Sequence, residues 1–461
     1  METLPTDDIR DRMAQALRGA EADYLEIRLE EMESTHLQYR GRELEEVGLG
    51  TSRGGNVRAL VRGGWGFVSF NGIEGLPDRV ELAVRQARLV GKEDSSFAPL
   101  PPVVDREEPG PVARDPLALP LSAKKQVMDE YNQTIWSVPR IQTSSILYRD
   151  GWRRVLLSTS TGSFVERTKR DVALRVSAVA RDGGQVQQAG ISVGSAGDFS
   201  AVEGLHGKVK ELAQRAVELL SAPPAPAGEL PVVLDPVLAG VFIHEAFGHL
   251  SESDFIYEND RMREIMVLGR RFGGSHLNVV DGAAIPGLRG SYSYDDEASP
   301  ATRTYLIREG VLVGRLHSRE TAARMGEAPT GNARAIDYRF PPIVRMTNTI
   351  IEPGQASLDD LLEGIKEGVY ARNWYGGTTS MEMFTFSSGE AFMVRNGRVA
   401  EPVRPVVLSG NVFTTLENID AIGNDLDMNQ GGGCGKGGQM PLPVSNGSPH
   451  IRIRRCVVGG R

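Results

Sequence analysis

The sequence contains little cysteine, since Cys434 and Cys456 are the only two among its 461 residues. A disulfide framework therefore does not organise the fold. In a reducing compartment these thiols are either free or metal ligands. The sequence also lacks an apolar run approaching the roughly 20 residues that cross a bilayer. Residues 1–24 are acidic and amphipathic, without the basic and then apolar layout of a signal peptide. We therefore expect a cytoplasmic protein that does not contact a membrane.

Dense basic runs are missing too, and the formal net charge is −8. The short RIRR stretch at Arg452–Arg455 includes an apolar residue and is typical of a strand. Direct nucleic-acid binding that depends on neutralising phosphates is not expected. Hydrophobic residues make up 40% and charged residues 24% of the chain, which is ordinary for a globular protein. The length indicates two or three domains.

The pattern along the chain predicts an α+β fold with three regions. Residues 1–100 form an N-terminal α/β region with a mixed or antiparallel sheet, in which the alternating apolar and charged residues of YLEIRLEE indicate a half-buried strand. Pro77 opens a helix whose buried stripe begins at Val80. Residues 101–228 form a middle α/β region, with a helix over 205–220 and a linker, SAPPAPAG, at 221–228.

Residues 229–461 form a β-rich C-terminal domain that carries a metal-binding helix. Asp235 is a good N-cap and Pro236 a good first helical residue, so a helix begins there and leads into GVFIHEAFGH. After this helix come short alternating runs with many glycines. The pair Asn396-Gly397 predicts a hairpin turn.

The HEAFGH stretch has an unusual spacing for a metal site. Zinc peptidases with H-E-x-x-H place two histidines one helical turn apart. Here His244 and His249 are at i and i+5, which puts them about 140° apart on a regular α-helix. The two can share a metal only on a π-bulge or on a helix that breaks near Gly248. The alternative is a solvated His-Glu pair on an ordinary helix.

Two histidines and a glutamate do not complete a catalytic zinc site, which typically has three protein ligands. The candidates for the third are several acids and a set of histidines and cysteines: His276, His317, His450, Cys434 and Cys456. Cys434 stands out in NQGGGCGKGGQ, because the glycines allow a tight backbone and Lys436 favours the thiolate. A cysteine in such a loop can equally be inert.

Longer stretches carry a family resemblance. HEAFGHLSESDF, SYSYDDEASPATRTYLIREGVLVGRLHSRETA, PTGNARA, ARNWYGGTTS and IGNDLDMNQGGGCGKGGQ follow one another in the order seen in the TldD/PmbA family of metallopeptidases. The resemblance covers essentially all of 230–461, and the first 220 residues fit more loosely. It implies that His244, His249 and Cys434 bind zinc and that Glu245 is the general base. Because the HExxxH motif is present, the chain resembles the catalytic TldD subunit rather than the TldE or PmbA type.

The same resemblance implies peptide substrates, namely unfolded or flexible peptides and small labile proteins. It also implies a dimer, either of two copies or with a TldE/PmbA-like subunit. Alternatives are a non-catalytic, metal-bearing scaffold or regulatory subunit, and a hydrolase acting on another amide. Asp295 and Asp296 in YDDE are candidates for a second cation or a substrate amine, against a solvated turn. His317 is a candidate oxyanion donor, against an ordinary hydrogen bond.

Overall fold

The computed structural model describes residues 6–460, so the outermost residues of the predicted regions 1–100 and 229–461 lie outside the description. The fold is α+β, as the sequence predicts. In the described chain no helix combines the length and the apolar character that crossing a membrane would require.

Residues 6–227 fold around one large sheet. Their elements are, in chain order, α1 (Thr6–Leu17), β1 (Tyr24–Arg40), β2 (Glu43–Val61), β3 (Gly64–Phe70), α2 (Leu76–Val90), β4 (Val104–Glu107), α3 (Leu121–Trp136), β5 (Ile141–Thr159), β6 (Phe164–Asp182), β7 (Gln185–Ser195) and α4 (His206–Glu218). The strand order is β3-β2-β1-β5-β6-β4, with β7 also on β6. All pairs are antiparallel except β4 with β6. Strand β1 pairs with β5, so the predicted regions 1–100 and 101–228 share this sheet.

Strand β1 was predicted to be half-buried, but the charged part of its other face is buried too. Leu25, Ile27 and Leu29 lie in an apolar core with α1 and α2, as the alternation indicates. The opposite face is buried as well, although it carries Glu26, Arg28 and Glu30. Charged groups tolerate burial when they are paired. Arg28 pairs with Glu30 of the same strand and with Asp296 of the YDDE turn, and Glu26 pairs with Arg58 of β2. Sequence periodicity could not reveal the partners that lie outside the strand.

Residues 228–460 hold the C-terminal region. Its elements are β8 (Gly228–Leu234), α5 (Pro236–Ile243), α6 (Ser253–Glu258), α7 (Asp260–Ile265), β9 (Val279–Asp281), β10 (Thr304–Arg308), β11 (Val311–Leu312), α8 (Arg319–Met325), β12 (Ala333–Arg334), β13 (Ile343–Val344), β14 (Asn348–Ile351), α9 (Leu358–Leu362), β15 (Glu367–Ser380), β16 (Met383–Arg395), β17 (Arg398–Val403), β18 (Val406–Asn411), α10 (Val412–Glu417), β19 (Ile419–Ile422), β20 (Asp427–Asn429), β21 (Gly433–Lys436), β22 (Gln439–Pro443), β23 (Ser445–Ser448) and β24 (Ile451–Gly460).

Two larger sheets surround α5. Strands β15-β8-β24-β18-β16 form a ring that the β15–β16 pairing closes, and β17 and β19 are attached to it. The second sheet has the order β11-β10-β9-β14-β23-β20. Nearly all of α5 is buried and apolar, from Leu238 to Ile243, which is typical of a helix enclosed on all sides. The helix that leads into the HEAFGH stretch therefore lies in the main core of the region.

Several local predictions are confirmed. Helix α2 has Pro77 in its first turn and buries the predicted stripe at Val80. Helix α4 lies within the predicted range 205–220. Asn396 and Gly397 join β16 to β17 with φ angles of 49° and 75°, the left-handed values that such a two-residue turn requires.

Candidate metal centre

The HEAFGH stretch leaves the α-helical geometry. Asp235 caps α5 by accepting a hydrogen bond from the Leu238 backbone N–H at 2.9 Å, as predicted. After Ile243 the chain forms a π-helical turn over His244–Gly248. The backbone N–H of His249 donates to the carbonyl of His244, which is an i to i+5 bond. The expected distortion is therefore present, and it brings the two histidines to the same side, with ring centroids 5.3 Å apart.

Gly248 allows this turn to pack. A Cβ built on Gly248 would lie 2.0 Å from the Sδ of Met346. Met346 is fully buried in the main core, so a side chain at position 248 would force the methionine or the turn to shift. The close contact therefore favours glycine directly before His249.

Cys434 approaches from a separate hairpin. It lies on β21, which pairs with β22 in a two-stranded sheet and places Cys434 opposite Leu442. The Sγ of Cys434 is 3.5 Å from Nε2 of His249. One ligand atom from each of His244, His249 and Cys434 lies within 4.8 Å of the other two. The fold thus brings Cys434 next to His249, although the two are 185 positions apart in sequence.

Glu245 is next to this cluster without being part of it. Its Oε2 is 3.8 Å from Nε2 of His249, and its side chain is 29% exposed. A partly exposed carboxylate at this place can reach both the ligand cluster and a molecule arriving from solvent. This arrangement suits proton transfer.

Sequence reasoning missed Glu252. Its Oε2 accepts a hydrogen bond from Nδ1 of His249 at 3.0 Å, and its side chain is 1% exposed. Metal-binding histidines usually donate their second ring N–H to such a group, which orients the ring and fixes the tautomer. The sequence signal was the carboxylate three positions after His249. The orientation of the Glu252 side chain depends on the 3₁₀ turn His249–Ser251, which the sequence does not predict.

Lys436 was expected to favour the Cys434 thiolate, but its direct contacts are with other groups. Its Nζ binds Oε2 of Glu252 at 3.0 Å and Oδ1 of Asp254 at 2.6 Å. It also donates to the backbone carbonyl of Val344 at 2.9 Å. Lys436 therefore ties the cysteine hairpin to the segment that follows the histidines.

The electrostatics of the cluster couple its members. Burial by itself would raise the pKa of the Cys434 thiol, but His244 and His249 hold that pKa well below its ordinary value. Burial lowers the pKa of His249, and this effect is outweighed by Glu252 and Cys434, so that the pKa is raised. Burial likewise opposes ionisation of Glu252, but Lys436 and His249 lower its pKa to about 2. The two histidines thus favour the thiolate of Cys434, and Lys436 and His249 favour the carboxylate of Glu252.

The other candidates for a third ligand lie apart from the cluster. Nε2 of His276 bonds to the carbonyl of Ile419 at 2.9 Å, and His450 bonds to Asp425. Cys456 is buried on β24, and burial raises the pKa of its thiol to about 12. Such a thiol is inert as a nucleophile or ligand at neutral pH.

His317, Asp295 and Asp296 are buried in structural networks. His317 is 1% exposed and contacts Ser253, Thr321 and Glu327. Asp295 accepts three backbone N–H bonds, and Asp296 pairs with arginines of the N-terminal sheet. A solvated acidic turn is therefore wrong for YDDE, because its carboxylates are buried and two of them, Asp296 and Glu297, pair with arginines of the N-terminal sheet. A role in binding substrate stays a prediction for all three residues.

Comparisons with known proteins agree with this architecture. Models of the PmbA/TldA metallopeptidase family match the chain as domain 1 over residues 25–88, the central domain over 114–221 and the C-terminal domain over 227–460. A metalloprotease of Synechocystis is 49% identical over 442 residues, covering 96% of this chain and 96% of its own. A zinc metalloprotease TldD homolog of Saccharolobus solfataricus is 32% identical over 417 residues, covering 90% of this chain and 91% of its own.

A solved structure shares the whole fold. TldE from Thermococcus kodakarensis superposes with a TM-score of 0.75 at 17% identity, covering 98% of this chain and 99% of its own. At this identity the likeness concerns the fold alone. The family models and the sequence relatives together show that the chain belongs to the PmbA/TldD family of metallopeptidases.

Proposed function

We propose that this protein is a zinc-dependent peptidase that cleaves unfolded or flexible peptides and small proteins. The observation that carries the proposal is the convergence of His244, His249 and Cys434 within 4.8 Å, with the carboxylate of Glu245 beside them. A zinc metalloprotease among the relatives supports the choice of metal.

The chemistry of the donor set fits zinc. Two imidazoles and one thiolate are borderline and soft ligands, and catalytic zinc sites combine three such protein ligands with an open position. The buried Nδ1 of His244 has no hydrogen-bond partner within residues 6–460. Burying a ring nitrogen without a hydrogen-bond partner costs free energy. Coordination of a metal by the His244 ring would offset part of that cost. Since Glu252 takes the Nδ1–H of His249, the Nε2 of that ring is free to bind the ion.

Zinc bound at this site would supply Lewis-acid polarisation of a peptide carbonyl and would make water more acidic. The remaining chemistry belongs to the protein. Glu245 would accept a proton from the attacking water on a carboxylate oxygen and deliver it to the amine nitrogen as the peptide C–N bond breaks. The new C–O bond comes from the water oxygen. Glu252 would keep the imidazole of His249 in one tautomer throughout.

Substrate and partner assignments rest on the family. Relatives named as metalloproteases act on proteins or peptides, and we extend this to the present chain. We also propose a dimer, either of two copies or with a TldE/PmbA-like subunit, of which TldE from Thermococcus kodakarensis has the same fold as this chain. We propose no direct contact with nucleic acid or membrane.

The test compares metal content and turnover in three proteins. Native protein, Cys434→Ser and Glu245→Gln are purified in parallel, and zinc is measured by elemental analysis. Cleavage of an unfolded polypeptide is then followed by mass spectrometry. We expect about one zinc per native chain, loss of zinc in Cys434→Ser, and retained zinc without turnover in Glu245→Gln.

Two other results would overturn parts of the proposal. A native protein that binds zinc but shows no cleavage dependent on Glu245 would be a metal-bearing regulatory subunit. A native protein that takes up no metal when zinc is supplied would leave the three residues as an ordinary part of the core.

A further inference from the structure

Arg345 is a buried arginine whose position ordinary ion pairing does not explain. It lies between β13 and β14 and is fully buried. In the described part of the chain no carboxylate forms a salt bridge with it. Two other buried arginines do pair with carboxylates, Arg28 with Glu30 and Arg58 with Glu26. Burying an unpaired guanidinium costs free energy unless its donors bind specific acceptors.

The donors of Arg345 bind the hairpin that carries Cys434. One terminal nitrogen donates to the backbone carbonyl of Cys434 at 2.8 Å. The other donates to the carbonyl of Gln439 at 3.2 Å. Cys434 is on β21 and Gln439 is on β22, so a single rigid guanidinium holds both strands. Hydrogen bonds from charged donors are stronger than neutral ones.

The backbone of Arg345 is itself fixed. Its N–H donates to the carbonyl of Asn332 at 2.9 Å, and its own carbonyl accepts from the side chain of Asn332 at 3.0 Å. Asn332 also donates to Asp281 in the six-stranded sheet. The guanidinium therefore connects the hairpin to a larger sheet.

The hairpin needs such an anchor. It is a two-stranded sheet with a register irregularity between Cys434 and Lys436, and glycines flank the cysteine on both sides. Isolated two-stranded hairpins are only marginally stable. Glycine adds backbone freedom that must be lost on folding. Lys436 fixes the far end of β21, whereas Arg345 binds at the cysteine itself.

We propose that Arg345 is a positioning residue that holds the Cys434 thiolate at the metal. This inference rests on the proposed function, since it requires Cys434 to be a metal ligand. Arg345 binds through the backbone of Cys434 and acts on the ligand, without touching substrate. A ligand held by a preformed shell binds its metal more tightly than one that must be ordered first.

The test uses cobalt(II) as the metal, because a thiolate bound to cobalt gives a near-ultraviolet charge-transfer band. Metal-free native protein, Arg345→Met and Arg345→Lys are titrated with cobalt, and affinity is measured by competition with a chelator. Arg28→Met is the matched control, since it removes another fully buried arginine that lies outside the hairpin. Cys434→Ser defines the spectrum without a thiolate ligand.

We expect Arg345→Met to weaken cobalt binding by about 10- to 100-fold and to reduce the band. Arg345→Lys should restore part of both, because an ammonium can reach one of the two carbonyls. Arg28→Met should lower thermal stability and keep the band. A full band and native affinity in Arg345→Met would overturn the inference. So would failure of both Arg345 variants to fold, because Arg345 would then support the core as a whole.

Failure of the proposed function gives a different result. A native protein without a thiolate band would show that Cys434 is not a ligand, whatever the variants do. A native band that Arg345→Met leaves unchanged would refute only the positioning role.

Discussion

Substituting Gly248 with alanine tests whether close packing holds the distorted turn of the metal centre. Gly248 has φ −58° and ψ −50°, which alanine adopts without strain. The added Cβ would nevertheless lie 2.0 Å from the Sδ and 3.3 Å from the Cε of Met346. Met346 is fully buried, so either the methionine or the turn must move. The predicted loss of stability is thus caused by a steric clash between residue 248 and Met346.

The magnitude follows from two opposing terms. Replacing glycine by alanine in a helix gains about 1 kcal/mol. Overpacking a tight core costs about 1–3 kcal/mol, and a contact this short is at the upper end. Gly248→Ala should therefore lower the free energy of unfolding by about 2 kcal/mol. Met346→Ala removes the clashing sulfur, so the same substitution in that background should stabilise the protein by up to about 1 kcal/mol.

Chemical denaturation of the four metal-free proteins in this cycle measures both values. Gly207→Ala is the matched control, because Gly207 is in helix α4 and an added Cβ there meets nothing within 4 Å. The control should be neutral or slightly stabilising. Chelator competition should also show weaker zinc binding in Gly248→Ala, since His249 follows directly. An equal loss of stability in both backgrounds would refute the steric reasoning.

Three further predictions concern groups around the site and in the sheet. Glu252→Gln should weaken zinc binding by about 10- to 100-fold in chelator competition, because the carboxylate that orients His249 is lost; native affinity would contradict this role. Lys169 has its pKa lowered by burial and by Arg167 to about 7, against an ordinary value of 10.5. Between these values the unfolded chain binds the extra proton, so stability rises with pH across that window. The native protein should gain about 3 kcal/mol relative to Lys169→Met between pH 7 and 10; a constant difference in denaturation midpoints would exclude it. Asp235→Ala should cost about 1–2 kcal/mol in the same assay, because Asp235 accepts from the backbone N–H groups of Leu238 and Asn373; an unchanged midpoint would show that the cap is dispensable.

Local signals in the sequence determined much of the fold around the site. Asp235 and Pro236 predicted the start of α5, because the N-cap hydrogen bond of aspartate and the restricted φ of proline act within one helical turn. The i, i+5 spacing of His244 and His249 allowed a shared metal only on a distorted helix, and the π-helical turn is present. The Asn396-Gly397 turn was equally local. Such features depend on a few neighbouring residues, and the sequence displays those directly.

Tertiary structure decided the features that depend on distant partners. Among two cysteines and several histidines and acids, it was packing that placed the Sγ of Cys434 3.5 Å from Nε2 of His249. Glu252 and Arg345 were not among the site residues predicted from the sequence. Their roles follow from contacts with the cysteine hairpin, Glu252 with Lys436 and Arg345 with the carbonyl of Cys434. The charged face of β1 was expected in solvent, and a solvated turn was one alternative for YDDE, but both are buried. Arg28 of β1 and Asp296 of the turn supply each other with opposite charge. Sequence periodicity reports how polar a position is, whereas burial of a charge depends on a partner that only the folded chain brings into contact.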